Sequence, residues 1–489
     1  MDATLISIFT SIIIAASIRF AVKLLNWAWL RPKNLEKCLR KQGINGNPYK
    51  IFIGDMKELI RFMKETQPKS IKISDDMAPH ISHYYYQSIH KFGENSFIWF
   101  GPSPRLNITD PELIKEILSK PDVFRKPVPD LGSIIVGGLL FLEEHASGNT
   151  YELFEYDAQM GIIGFNERSS EIDIWPYLQD LSGDMISRTA FGSSHEEGTR
   201  IFQLQKEQVK LSLQIMQLSF IPGWRFFPTK ANRRFKAISK EIHSLLKGIV
   251  SKREKAMERG ETVRDDLLGL LMKSNLQEIQ EHGNKNMGMS IGDVIEECKL
   301  FYFAGSETTS NLLVWTMVLL SQYQEWQARA REEVFQILGK EEPTSEGLNH
   351  LKIVTMILQE VLRLYTPAPL MVRTTTETVK LKNMTLPAGV QMSLLIGQLH
   401  HNPKIWGDDS KEFKPERFSQ GISGGTYIPF SSGPRICIGQ NFAMIEAKTA
   451  LAMILQRFSF EFSSSYKHSP FPIITLQPQY GAPLILHKL

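Results

Sequence analysis

Cys437 lies in the segment Phe430-Ser-Ser-Gly433-Pro-Arg435-Ile-Cys437-Ile-Gly439, whose residue types suit a sulfur that works as a ligand. The segment is turn-rich and gives way at about Gln440 to a stretch with helical apolar periodicity, so the cysteine is expected at a helix N-terminus. Free backbone N–H groups and the helix macrodipole favour a thiolate there. Gly433 and Gly439 let the chain turn tightly and approach a planar ligand, Phe430 can shield the sulfur, and Arg435 can pair with a carboxylate. A thiolate behind a haem iron pushes electron density toward dioxygen and favours cleavage of the O–O bond. The plainer alternative, a buried cysteine in an ordinary loop, does not explain five such residues at fixed spacing.

Three further groups lie upstream in the chain. Ala304-Gly305-Ser-Glu307-Thr308-Thr309 falls in the middle of a long helical pattern starting at Ile291. Gly305 costs that helix about 1 kcal/mol relative to alanine. Such a weak point can open the backbone ladder beside a ligand. Thr308 could then hold a water or bound oxygen, with Glu307 relaying protons. Glu360-Val-Leu-Arg363 puts an acid and a base on one helical face, and Arg417 in Pro415-Glu-Arg417-Phe can complete a triad. Alone, each has a duller reading: a solvated acid, threonines that merely occupy a helix, a surface ion pair.

Together, in this order, the four motifs resemble those of the cytochrome P-450 family. The Cys437 segment resembles its haem-binding signature, residues 304–309 its oxygen-activation motif, Glu360 to Arg363 its Glu-x-x-Arg helix, and Pro415 to Phe418 its meander. Arg373, in the stretch after Pro367 and Pro369, matches by position an arginine that binds a haem propionate. The resemblance implies haem b with Cys437 as its axial thiolate, and Thr308 and Glu307 as catalytic residues. It also implies Phe430, Arg435, Gly439 and Arg373 around the cofactor, and Glu360, Arg363 and Arg417 as a structural triad. Stretches such as Ile221-Pro-Gly-Trp224 and Arg264-Asp-Asp-Leu-Leu268 resemble plant members of the group containing secologanin synthase and triterpenoid oxidases. That implies a monooxygenase of the endoplasmic reticulum acting on a lipophilic metabolite of the terpenoid class, with O2 and an NADPH-dependent flavoprotein reductase as partners.

The elements that must position these residues read as one α+β domain, mostly helical, with small sheets toward both ends. Helical patterns run over Glu196 to Gln217, Lys236 to Arg259, Ile291 to Gln322 and Glu325 to Leu338. Strand patterns cover Ser96 to Phe100, Arg105 to Ile108, Lys380 to Leu395 and the stretch from Phe458 to the end. No Gly-rich loop opens a helix after a strand, so electrons are expected from a separate protein.

Bulk properties agree. Of 489 residues, 42% are hydrophobic and 22% charged, which is globular composition, and a net charge of +4 without a long basic block argues against a nucleic-acid partner. Three cysteines cannot build a disulfide framework. The apolar run from Leu5 to Ile18 extends past Arg19 and Lys23, which can snorkel, to Trp27 and Trp29. It is expected to be an uncleaved single-pass anchor over residues 1–30, in contact with membrane lipid. A hinge is expected at Arg31-Pro32, and the haem-thiolate domain over residues 31–489 is expected in the cytosol, as the basic flank directs. The acceptor patterns Asn107-Ile-Thr109 and Asn383-Met-Thr385 would then carry no glycan.

One stretch departs from the family. A Trp-x-x-x-Arg helix is expected soon after Gly138 to Glu144, yet between Trp99 and Trp224 the only tryptophan is Trp175, followed by Pro176 and with Gln179 four residues on. Residues 144–168 look shortened or rewritten, and the family pattern resumes near Ser170. Two alternatives to a monooxygenase follow: a haem-thiolate isomerase or dehydratase, disfavoured by the intact Glu307–Thr308 pair, and a silent homologue without productive haem.

Overall fold

A computed structural model describes residues 3–66, 70–127, 169–192, 195–215, 221, 223–261, 266–282, 288–421 and 425–489. The rewritten stretch at 144–168 and the segment from Gly138 to Glu144 lie outside them.

The N-terminal run forms a helix, α1 (Ala3–Leu25), with large apolar side chains such as Phe9 and Phe20 pointing outward. The expected hinge at Arg31-Pro32 is not a break. A π-helical turn, Asn26–Leu30, carries α1 into α2 (Arg31–Lys41), and the Arg31 N–H reaches back five residues to the Asn26 carbonyl. Pro32 lacks a donor and crowds the turn before it, and widening that turn accommodates it without ending the helix. The segment Phe9–Lys41 is long and apolar enough to cross a membrane by length and composition. Its end is docked on the body through the Tyr49 hydroxyl, which donates to the Ala28 carbonyl at 2.8 Å, and through Trp27 against Phe52.

Two sheets frame the helices. Strands β1 (Ser96–Phe100) and β2 (Ser103–Ile108) form a hairpin with Phe97 opposite Leu106. β2 then runs parallel to β5 (Gln391–Leu394), which pairs antiparallel with β4 (Met371–Thr375), and the short pieces Asn45–Gly46 and Phe124–Arg125 close the edges of this six-stranded sheet. A second sheet joins β3 (Ser169–Asp173) to the C-terminal strands β6 (Phe458–Phe462) and β9 (Pro483–Lys488). Between β6 and β9 lies a two-stranded ribbon, β7 (Pro470–Pro472) with β8 (Leu476–Pro478).

The helices that matter for the site are α3 (Pro111–Ser119), α4 (Ile174–Phe191), α5 (His195–Ile215), α6 (Lys230–Glu258), α7 (Leu267–His282), α8 (Ile291–Gln322), α9 (Gln324–Leu338), α10 (Lys352–Leu364) and α11 (Gln440–Arg457). The central helix is α8. A capping box at Ser290 and Asp293 starts it. From Leu312 to Leu320 it is buried on every side, which places it in the core rather than at the surface. Its second half packs into the largest apolar cluster with α9, α10, α11 and the C-terminal sheet, and its first half into another with α4, α6 and α7.

Candidate active site

The Cys437 loop lies between α3, which its turn packs against, and α11, which it leads into. The loop before α11 is held by the Cys437 N–H, which donates to the Phe430 carbonyl at 2.8 Å, and by a 3-10 turn, Gly433–Arg435, against α3. Gly433 has φ +73°, and a Cβ there would lie 2.6 Å from the Leu118 carbonyl oxygen, so only glycine fits. Gly439 differs. Its φ is −85°, and a Cβ would meet only the Cys437 sulfur, at 3.9 Å. Its value is the room it leaves beside the thiol.

Cys437 is open to solvent, as are its neighbours Ile436 (53% exposed) and Ile438 (42%). Two exposed isoleucines flanking a cysteine form an apolar rim that a planar hydrophobic ligand would cover. The sulfur is nonetheless recessed: surrounding protein pushes its pKa up, and the Gly439 N–H offsets this only in part. The expected bias toward thiolate at the helix start is therefore outweighed by desolvation in the polypeptide alone; a bound metal ion would reverse that by deprotonating the thiol outright. Among the described residues no group of three or more His, Cys, Asp or Glu could hold a bare metal ion. A metal that brings its other ligands with it, as a haem does, fits this setting of Cys437 among the described residues.

α8 packs against α11 and carries an open face of its own. On a helix otherwise largely buried, Ala304 is exposed and Phe301, Gly305 and Thr308 are half-exposed, positions that share one face. The Thr308 hydroxyl donates to the Ala304 carbonyl at 2.7 Å. Its proton is thereby committed, and its lone pairs are left as acceptors on the open face.

Glu307 points elsewhere. One Oε2 accepts from the Gln477 amide at 2.8 Å and lies 3.5 Å from the Thr475 hydroxyl, and burial raises its pKa. It lines a small pocket with Lys206, Gln179, Ser306 and Ser310 that includes neither Thr308 nor Cys437. Consecutive residues on a helix project about 100° apart, so acid and alcohol cannot share that face. No hydrogen bond joins the two side chains among the described residues.

The Gly305 turn does not open: α8 is continuous from Ile291 to Gln322. The glycine answers to packing, since a Cβ there would lie 2.8 Å from the Ile186 side chain of α4. Beneath it sits a residue the sequence reading passed over. Glu446, a lone acid in the apolar run of α11, is fully buried; its Oε1 accepts from the Ser182 hydroxyl at 2.7 Å, and the Thr309 hydroxyl lies against the same carboxyl. Burial pushes its pKa up to about 8. The available signal was an acid at an apolar-periodic position, which demands a partner.

The Glu360–Arg363 pair forms as spaced, and Arg417 joins it only loosely. Arg363 Nε and Nη2 donate to Glu360 at 2.7 and 2.8 Å, both side chains are wholly buried, and Arg363 Nη1 also reaches the His400 and Ser410 carbonyls. Arg417 Nε lies 3.4 Å from Glu360, short of a hydrogen bond, and its closer ion pair is with Asp409 at 2.7 Å. Arg373 is buried on β4 and donates to the Val372 carbonyl, while Arg435 is half-buried at the end of its turn.

A helical body of this topology, with an open cysteine before its last long helix and a central helix packed against that helix, fits the class of haem-thiolate oxygenases. The chain belongs to the cytochrome P450 family, whose profile, described as Cytochrome P450, matches residues 163–482. It is 51% identical to "Cytochrome P450 CYP72A219" of Panax ginseng, with 99% of each chain covered. It is 46% identical to "7-deoxyloganic acid hydroxylase" of Catharanthus roseus, with both chains covered completely. In structure it resembles "Retinoic acid bound cyanobacterial CYP120A1" with a TM-score of 0.73 at 19% identity, covering 91% of this chain and 99% of that one; this likeness speaks for the fold. The enzyme is thus a P450 monooxygenase that uses haem with a cysteine thiolate ligand. The alignment with the ginseng relative spans 513 positions, more than the 489 residues here, so that relative carries residues without a counterpart in this chain.

Proposed function

We propose that this chain hydroxylates a lipophilic terpenoid at the space between the Cys437 loop and the open face of α8. The bound haem supplies activation of dioxygen. Cys437 would ligate it, with Phe430 to shield the sulfur and Gly439 leaving room beside it, and Arg435 and Arg373 would offer cations for its carboxylates. Thr308, its own proton committed to Ala304, accepts a hydrogen bond from a water or a protonated oxygen on the open face and so orients that proton. Glu307, whose pKa burial raises, is a proton relay on the adjoining face whose transfer to Thr308 needs a water between them. The observation that carries this reading is the coincidence of exposed apolar surface, Ile436 and Ile438, around an open cysteine before α11 with an open threonine face on α8, a helix packed against α11.

The terpenoid class is supported by the hydroxylase named among the relatives. Electrons come from an NADPH-dependent flavoprotein reductase. Residues 1–30 anchor residues 31–489, a single catalytic domain, on the cytosolic side of the endoplasmic reticulum membrane.

A second reading, a silent homologue, is favoured by one observation: relatives that align over more positions than this chain contains, together with the departure at 144–168. The reduced, carbon-monoxide-bound spectrum of the protein expressed in microsomes separates the two. The red-shifted Soret band of thiolate-ligated haem is expected, and its loss in Cys437→Ser; no haem signal in the parent would leave the silent homologue. With the reductase present, Thr308→Ala should divert electrons to hydrogen peroxide, and coupling unchanged by it would remove Thr308 from proton delivery.

A further inference from the structure

We propose that Trp315, Tyr365, His468 and Tyr466 form a one-electron path that carries oxidising equivalents from the haem pocket to the surface, giving the enzyme a peroxide-quenching activity beside oxygen insertion. The proposal rests on the haem-thiolate reading of Cys437.

The four side chains come from segments far apart in sequence. Trp315 lies seven residues beyond Thr308 on α8, two turns along the same face and about 10 Å further along the axis. It is wholly buried, and its indole stacks on the Tyr365 ring at 4.7 Å with the planes 23° apart. The Tyr365 hydroxyl is 3.0 Å from His468 Nε2, and His468 Nδ1 is 2.8 Å from the Tyr466 hydroxyl. Tyr466 is half-buried and stacks on Phe462 at 4.8 Å. The line thus runs without a gap from the central helix to the edge of the protein.

Filling a core does not require this. Phenylalanine at 365 would pack the same ring without a buried hydroxyl, whose desolvation costs about 1–3 kcal/mol unless it is matched. Here two phenols and one imidazole are matched to each other, with one ring nitrogen for each hydroxyl. That arrangement lets a phenol give up an electron and its proton together, because the proton has a base within hydrogen-bond reach.

The balance is as follows. Hydrogen peroxide reacting at the haem is the oxidant, and its reduction to two waters consumes two electrons and two protons. In each one-electron pass, Trp315 loses an electron to the haem centre and regains one from Tyr365, whose O–H bond breaks as its proton moves to His468 Nε2. An electron from Tyr466 refills Tyr365, the proton returns, and Tyr466 releases its own proton to solvent. The Tyr466 radical is then restored by an electron and a proton from a small external reductant such as ascorbate, two molecules per peroxide.

The test uses the ferric holoenzyme, with the reduced carbon-monoxide band recorded first. It is mixed with hydrogen peroxide and freeze-quenched for electron paramagnetic resonance, and in parallel spin-trapped for peptide mapping. A tyrosyl radical with its adduct on Tyr466 is expected. Tyr466→Phe should remove the adduct. Trp315→Phe and Tyr365→Phe should lower the radical yield and speed haem bleaching several-fold while leaving the carbon-monoxide band as in the parent. An intact band with no radical at Tyr466, or yields and bleaching indifferent to all three substitutions, would overturn the path alone. Absence of the band in the parent would overturn it together with the haem-thiolate reading.

Discussion

Buried charge at single residues sets the strongest constraints. Arg363 is enclosed and satisfied by Glu360 and by the His400 and Ser410 carbonyls, so Arg363→Ala leaves Glu360 in the core with only the Lys414 N–H and Arg417, 3.4 Å away, to offset its charge. A loss of about 3–5 kcal/mol is expected. It would be seen as a drop in the urea midpoint or as failure to accumulate folded protein. Glu446 makes the opposite case, a carboxyl kept neutral. Its pKa of about 8 in the fold lies above the ordinary carboxyl value of 4.5, so between these two values the folded chain holds a proton that the unfolded chain has lost. Stability contributed by Glu446 is then complete below the lower value and falls as pH rises, by at most about 1.4 kcal/mol per pH unit. Glu446→Gln should flatten that part of the stability-versus-pH curve measured by chemical unfolding. An unchanged slope would mean that the carboxyl is ionised and paired in the fold.

For the elements, the contact between α4 and α8 decides what Gly305 is for. Judged by helix propensity alone, Gly305→Ala should stabilise α8 by about 1 kcal/mol. The Ile186 side chain, 2.8 Å from where the methyl would sit, reverses the sign. A net loss of about 1–3 kcal/mol from overpacking is expected, and the loss should shrink in an Ile186→Ala background. A double-mutant cycle by thermal unfolding checks this, and additive effects would refute the packing account. Helical weakness at residue 305 was legible in the sequence. Its cause was not, because nothing local to α8 reports how near α4 comes.

For the whole molecule, anchor and topology can be tested together. Asn107 is buried and its amide donates to the hydroxyls of Ser88 and Ser96, so in the folded protein it offers no free amide in either orientation. Asn383 is exposed in the turn between two short strands. The topological question therefore falls on Asn383 alone. Endoglycosidase treatment of the membrane-bound protein should leave its mass unchanged if the body faces the cytosol, and a shift would reverse the orientation. Deleting residues 1–30 should release the protein from carbonate-washed membranes, though the exposed Ile51, Phe52 and Ile53 beside the anchor keep some affinity for lipid.

The sequence by itself determined the order of the four motifs, the long central helix, the strands from Ser96 and Phe458, and the pairing of Glu360 with Arg363. Each of these depends on spacing along one element or on residue types that few backbones tolerate. Tertiary structure alone decided the rest. It turned Glu307 away from Thr308 toward Gln477, some 170 residues later, and made Asp409 the nearer partner of Arg417. It also let burial outweigh the helix start at Cys437. These outcomes depend on which distant chain segment removes water from a group, and local periodicity carries no record of that. The Cys437 loop illustrates both sides: its residues announce a ligand, but the demand for glycine at 433 arises only because α3 packs against the turn that Gly433 begins.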